Sequence, residues 1–182
     1  LDHRFDLIES SGVLHHMNDP LAGWTTLRNL LKRGGLMRIG LYSLKGRREW
    51  NGLREVVPPH LDKERVTNFI RERRSRVLMK SLKGADNVIT NIADYYSLSG
   101  CRDLLFHENE IQFSIPQIAK IIADLNLRFL GFANLMGSTK KTFKNKFNSS
   151  TDYYDLEKWD IFEQEYPNTF ISMYQFWCQA KD

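Results

Sequence analysis

The sequence contains few cysteines and few prolines, and it has no long apolar run. Its 182 residues include two cysteines and five prolines, too few for a disulfide-stapled scaffold or a proline-rich disordered chain. Cys101 and Cys178 stand apart without CxxC spacing, which favours two reduced thiols. No stretch approaches the roughly 18 apolar residues of a membrane span, and the first residues lack the apolar region of a signal peptide. These absences predict a cytoplasmic chain without a membrane segment.

The composition is that of a folded protein with one basic segment. Hydrophobic residues make up 42% of the chain and charged residues 26%, which is ordinary globular usage. The formal net charge is +4, and residues 45–83 carry 12 Lys/Arg against 5 Asp/Glu. Within that segment, RERRSR at residues 71–76 could contact nucleic-acid phosphates. It has no interleaved aromatics, however, so a solvated helix face is favoured over a nucleic-acid site.

Residues 5–42 have the pattern of a strand-helix-strand unit. Residues 5–10, FDLIES, form a short apolar run without helical periodicity, which predicts a buried strand. Asp19 and Pro20 are typical of a helix start, and Gly34 and Gly35 predict its end. Residues 36–42, LMRIGLY, then form a second strand, parallel to the first with a right-handed crossover.

The C-terminal part predicts alternating helices and strands. Ser114 and Gln117 form a capping box that opens a helix, and residues 127–132 form the next strand. The polar residues 138–151 predict an exposed loop. A helix follows, which Pro167 stops, and residues 170–178 form the last strand. Before this part, a helix is expected near residues 62–77, and a shorter one near residues 46–56.

Two stretches carry a resemblance to a known family. Residues 5–43, FDLIESSGVLHHMNDPLAGWTTLRNLLKRGGLMRIGLYS, resemble the fourth-to-fifth-strand region of class I S-adenosylmethionine-dependent methyltransferases. Residues 94–118, DYYSLSGCRDLLFHENEIQFSIPQI, resemble a segment after the fifth strand in bacterial methyltransferases sometimes fused to tetratricopeptide repeats. The resemblance implies an α/β fold with a Rossmann-like sheet of order 3-2-1-4-5-7-6. The strands seen here would be the fourth to the seventh, in the order 4-5-7-6.

The resemblance also divides residues 1–182 into three parts of a partial methyltransferase domain. Residues 1–43 would be a strand-helix-strand core, residues 44–113 a helical insertion or lid, and residues 114–182 the terminal helices and strands. The glycine-rich cofactor loop and the acidic ribose-binding residue of the family are not found in the sequence. We therefore expect a piece of a longer methyltransferase that is inactive alone. We also expect the strand at residues 5–10 to pair with a missing N-terminal half or a partner chain.

Candidate site residues follow from the carboxyl ends of the parallel strands, where ligands bind in such sheets. The resemblance places the cofactor S-adenosylmethionine beside Ser11, Gly12 and Val13. His15 and His16 are the candidate catalytic residues, one of them facing the transferred methyl group and taking a proton. The alternative for either histidine is a structural role below the helix. The methyl acceptor is not identified by any motif.

Further residues are candidates for the substrate side of the same crevice. Tyr42 ends the second strand, and a lid or substrate wall could contain four residues of the later stretch, Tyr95, Tyr96, Arg102 and His107. Their alternative is an ordinary packed connector. Two other functions stay open: a non-catalytic or basic binding module, and a metal-dependent hydrolase using His15, His16 and His107. No metal is the expectation, because adjacent residues on an extended segment point to opposite sides.

Overall fold

Four strands form one mixed sheet in the computed structural model, which describes residues 3–48, 109–171 and 173–181 with residues 68, 97, 99 and 100. The chain divides into two compact units, one of residues 1–47 and 109–182 and the other of residues 48–108. The helices expected near residues 46–56 and 62–77, like the basic run at 71–76, lie almost wholly outside the described residues.

The sheet has the predicted order. Its strands are β1 (Phe5–Ser11), β2 (Leu31–Tyr42), β3 (Leu127–Phe132) and β4 (Met173–Ala180), arranged as β1-β2-β4-β3. β1 pairs with β2 in parallel, and β4 is antiparallel to both β2 and β3. This arrangement confirms the expected 4-5-7-6 half of a Rossmann-like methyltransferase sheet.

Helix α1 (Pro20–Asn29) begins as predicted but ends earlier. The Asp19 side chain accepts a hydrogen bond of 2.9 Å from the Ala22 N–H, which caps the first turn. The predicted end at Gly34 and Gly35 is wrong, because the chain enters β2 at Leu31. Leu31 is fully buried and pairs with Phe5, and Gly34 takes a left-handed φ of 67° within the strand. Gly34 and Gly35 thus lie in an irregular part of β2 and do not end a helix.

Among the described residues 109–181, three α-helices and a 3-10 helix (Ser150–Tyr154) follow. The Ser114–Gln117 capping box opens α2 (Ile115–Asp124) as predicted, and Leu156 opens α4 (Leu156–Glu165) before Pro167. The exposed loop predicted at residues 138–151 is wrong, because α3 (Gly137–Lys146) occupies most of it. Phe143 is the one buried side chain of α3 and stacks on Trp159 at 3.8 Å. Because only one of the ten residues of α3 is buried, the sequence there has no apolar periodicity that would predict a helix.

The core lies on one face of the sheet, between the strands and the helices. Met37, Ile39 and Phe176 are fully buried there, and the Trp24 ring of α1 packs against Phe176 at 5.9 Å. β1 has β2 as its one neighbour among the described strands, and its Phe5 and Leu7 are 43% and 55% exposed. Pairing of this edge with other residues stays a prediction. Within the described residues, no helix combines the length and apolar character that crossing a membrane requires.

Candidate functional site

The carboxyl ends of β1 and β2 meet the start of β4 at one edge of the sheet. Ser11 lies beside Gly40, and Tyr42 lies beside Met173. The Ser11 hydroxyl is 3.6 Å from the Met173 sulfur. A Cβ added to Gly40 would lie only 2.3 Å from the Ser11 Oγ. Gly40 therefore allows the close approach of β1 and β2 at this edge, a role that sequence reasoning missed.

The three candidate cofactor residues form an open turn after β1. Gly12 has a left-handed φ of 75°, which favours glycine, and no described atom lies within 4 Å of a Cβ added there. Ser11 is exposed, and the Val13 side chain is 53% exposed. The turn thus presents accessible backbone at the edge where ligands of open α/β sheets bind. The assignment of Ser11, Gly12 and Val13 to a cofactor stays a prediction.

Tyr42 lies inside a stack of three side chains. The His15 ring stacks on the Tyr42 ring at 3.7 Å, and the Arg47 guanidinium carbon lies 4.0 Å from the same centroid. Two groups this close cannot share one face of a ring, so they cover opposite faces. All three are buried, His15 and Arg47 fully. The stack therefore fixes the end of β2 through aromatic and cation–π contacts.

His15 is held in its neutral form. Burial is the main cause that lowers the pKa of His15 to about 4, and the neighbouring His16 lowers it further. The nearby Gly40 backbone raises the pKa of His15 and so opposes this shift. This contact does not meet hydrogen-bond geometry, and neither ring nitrogen forms a hydrogen bond with a described residue. His15 is thus a buried neutral ring stacked on Tyr42. The structural alternative expected backbone groups to satisfy this histidine, and no described residue does so.

His16 lies at the surface side of the same turn. It is half-buried, and its ring packs edge-on to Tyr42 at 5.4 Å. Its Nδ1 is 2.9 Å from the Asn109 carbonyl oxygen. Because a carbonyl oxygen can only accept, Nδ1 carries the hydrogen of this bond. Of the two candidate histidines, His16 has the more accessible ring.

Residues 109–113 connect the turn after β1 to the end of β2 through hydrogen bonds, a role that the sequence did not predict. The Ile111 N–H donates to the His15 carbonyl and the Phe113 N–H donates to the Tyr42 carbonyl, both at 2.9 Å. Glu110 accepts hydrogen bonds of 2.9 and 2.5 Å from the Arg47 guanidinium, and both side chains are almost fully buried. The pair is 63 residues apart in the chain. Only the opposite charges of Arg47 and Glu110 could have signalled this contact.

A second buried polar cluster lies near the end of β2. Glu163 of α4 is 1% exposed, and its Oε1 accepts from the Tyr174 hydroxyl at 2.7 Å and from Ser43 Oγ at 3.3 Å. The Lys45 Nζ lies 3.5 Å from Oε2. Burial raises the pKa of the Glu163 carboxyl, while Tyr174 and Lys45 partly offset that effect. Burial also raises the pKa of Tyr174, so its hydroxyl stays a donor.

The structure brings together only part of the predicted site. Ser11, Gly12, His16 and Tyr42 share one edge, whereas Tyr95, Tyr96, Arg102 and His107 lie outside the described residues. Of the three histidines considered for a metal, His107 also lies outside the described residues. In the part of the chain that the structure describes, no three His, Cys, Asp or Glu side chains group as metal ligands would.

Curated proteins and solved structures are similar to this chain. An uncharacterised Synechococcus protein is 27% identical over 172 residues, which cover 87% of this chain and 40% of the relative. The structure of PKMT2 from Rickettsia typhi in complex with AdoHcy matches with a TM-score of 0.62 and 16% identity, covering 100% of this chain and 36% of that one. Another structure of Rickettsia typhi PKMT2 gives a TM-score of 0.60 at 16% identity over 99% of this chain and 37% of that one. The chain matches no protein-family model.

These matches agree with the sheet topology. The chain spans well under half the length of the relatives that it matches. The predicted resemblance is confirmed at the level of the fold: this chain has the strand order and helices of the C-terminal half of a class I S-adenosylmethionine-dependent methyltransferase.

Proposed function

We propose that this chain takes part in the transfer of a methyl group from S-adenosylmethionine to an acceptor. The observation that carries the proposal is the open left-handed turn at Ser11 and Gly12, placed at the carboxyl end of β1 in a methyltransferase-type sheet. The fold is shared with Rickettsia typhi PKMT2, whose structure holds AdoHcy. Open space beside Gly12 leaves room for a cofactor next to the backbone.

The chemistry assigns a role to each part of the turn. S-adenosylmethionine supplies a methyl group on a sulfonium, and its transfer is an in-line displacement that needs alignment and exclusion of water. The exposed backbone of Ser11 and Gly12 binds the cofactor side of the crevice. The His16 ring, which the bond between its Nδ1 and the Asn109 carbonyl orients, takes the acceptor proton. His15 acts below it as a buried neutral support for the Tyr42 ring.

Calorimetric titration with S-adenosylhomocysteine tests the proposal on the protein expressed from its complete reading frame. We expect saturable binding by the unchanged protein and at least tenfold weaker binding by Gly12→Val, because the added side chain fills the open turn. Gly34→Val is the matched control. Gly34 also has a left-handed φ, 67°, and open space around it, but it lies at the other end of β2.

Two results would contradict the proposal. Absence of saturable binding by the unchanged protein favours a non-catalytic binding module instead. Equal losses in Gly12→Val and Gly34→Val would show that backbone strain and not the turn after β1 controls binding. Thermal unfolding of both variants reports the strain that they share.

A further inference from the structure

A pocket of about 250 Å³ lies at the edge of the sheet where β3 ends and β4 begins. Its lining combines exposed apolar side chains, among them Met136 and Ile171, with the carboxamides of Asn134 and Gln175. Met173 also lines it and contacts Ser11. The volume is below the roughly 300–1,000 Å³ of sites for drug-sized ligands. The pocket therefore suits one small chemical group.

The orientation of the Gln175 carboxamide follows from its partners. The Arg38 guanidinium is 2.7 Å from Gln175 Oε1, and its other terminal nitrogen donates to Glu9 at 2.7 Å. A guanidinium can only donate, so the atom of Gln175 that faces Arg38 must be the oxygen. The amide nitrogen of Gln175 then points away from Arg38. The oxygen and the nitrogen of the Gln175 carboxamide are thereby distinguished.

The orientation of Asn134 follows in turn. The Asn134 Nδ2 donates to the same Gln175 Oε1 at 2.8 Å. The Asn134 Oδ1 therefore does not take part in this bond. The Ala133 N–H donates to the Gln175 carbonyl at 2.7 Å and ties the two segments together. Asn134 has a left-handed φ of 57°, a conformation that asparagine tolerates. Backbone and side chain of Asn134 are thus both fixed at the pocket.

Two residues that line the pocket each keep one side-chain atom available for a ligand. Among the described residues, neither Gln175 Nε2 nor Asn134 Oδ1 has a hydrogen-bond partner. A ligand that matches them offers an acceptor and a donor on one edge. A primary carboxamide does so, a carboxylate offers acceptors only, and a trans secondary amide has its N–H and C=O on opposite sides.

We infer that this pocket is a binding subsite for the primary carboxamide of a small molecule. Gln175 donates to the amide oxygen of the ligand, and Asn134 accepts from its amide nitrogen. Apolar side chains at the rim cover the remainder of the ligand. Binding at this pocket does not depend on methyl transfer, because it uses the β3–β4 edge and Arg38 of β2 and none of the candidate cofactor or catalytic residues.

The test is an NMR titration of the isotopically labelled full-length protein with benzamide, benzoate and N-methylbenzamide. We expect benzamide to shift the side-chain amide signals of Asn134 and Gln175 saturably. Benzoate and N-methylbenzamide should bind at least about fivefold more weakly, the loss expected for one hydrogen bond. Equal affinities for the three compounds, or no shift of either side-chain signal with benzamide, would overturn the inference.

Two variants test the contribution of each carboxamide. Gln175→Glu keeps an oxygen toward Arg38 but replaces the donor, so benzamide affinity should fall about fivefold or more. Asn134→Gly keeps the left-handed backbone but removes the acceptor, with the same expected loss. Asn126→Gly is the control, since Asn126 also has a left-handed φ, 50°, but lies before β3, at the other end of that strand. Unchanged benzamide affinity in both pocket variants would overturn the assignment. The comparison of benzamide with benzoate and N-methylbenzamide on the unchanged protein tests the assignment without any variant.

Discussion

Acid should destabilise the folded chain through His15. Its ring is fully buried, and its pKa lies at about 4 against an ordinary value of 6.5. Between these values the unfolded chain binds a proton that the folded chain excludes, so the free energy of unfolding falls as the pH is lowered. The loss amounts to about 2 kcal/mol at pH 5 and about 3 kcal/mol at pH 4.

His15→Phe isolates this contribution. Phenylalanine keeps an aromatic ring against Tyr42 and cannot be protonated, and no hydrogen bond of the His15 ring to a described residue is lost. We expect urea unfolding, followed by tryptophan fluorescence, to show that the variant lacks about 2 kcal/mol of the decrease between pH 7.5 and pH 5. His3→Phe is the control, because His3 is exposed. Parallel pH profiles for His15→Phe and the unchanged protein would refute this reasoning.

Two other substitutions test the packing around the site. Gly40→Ala should lower the free energy of unfolding by about 1–3 kcal/mol, because its Cβ would lie 2.3 Å from Ser11 Oγ. Gly137→Ala, with open space around it, is the control and should leave the urea midpoint almost unchanged or slightly higher. Tyr174→Phe removes the 2.7 Å hydrogen bond to the buried Glu163 carboxyl and should cost about 1–3 kcal/mol, measured in the same way.

Each of these predictions has a clear contrary result. Equal urea midpoints for Gly40→Ala and Gly137→Ala would mean that β1 and β2 can separate at this edge without cost. For the Glu163 cluster the control is Tyr154→Phe, since Tyr154 is 58% exposed. If Tyr174→Phe is no less stable than Tyr154→Phe, the hydrogen bond to Glu163 contributes nothing measurable to stability.

Local signals in the sequence predicted the order of the elements well. Asp19 and Pro20 predicted the start of α1, and the Ser114–Gln117 capping box predicted that of α2, because caps depend on neighbouring residues only. Gly34 was misread because a left-handed glycine serves equally in a helix terminus and in a strand irregularity. Helix α3 was missed because a single buried residue, Phe143, holds it to the core.

The candidate site was predictable only where strand ends determine position. The parallel β1 and β2 bring Ser11, Gly12 and Tyr42 to one edge, as the topology required. The Arg47–Glu110 ion pair depends on two segments far apart in the chain, and no local pattern encodes it. The same holds for Gln175 and Asn134, whose orientation follows from the position of Arg38 and not from any motif.

The Arg47–Glu110 pair joins the two points where the chain leaves the sheet unit and returns to it. With Phe113 hydrogen-bonded to Tyr42 and Leu44, these two points stay adjacent whatever the length of the chain between them. The entropy of closing a loop grows slowly, by about 0.6 kcal/mol for each doubling of its length. We therefore expect insertions or deletions within residues 48–108 to leave the register of the sheet unchanged, because contacts of the sheet unit itself hold both ends of that segment.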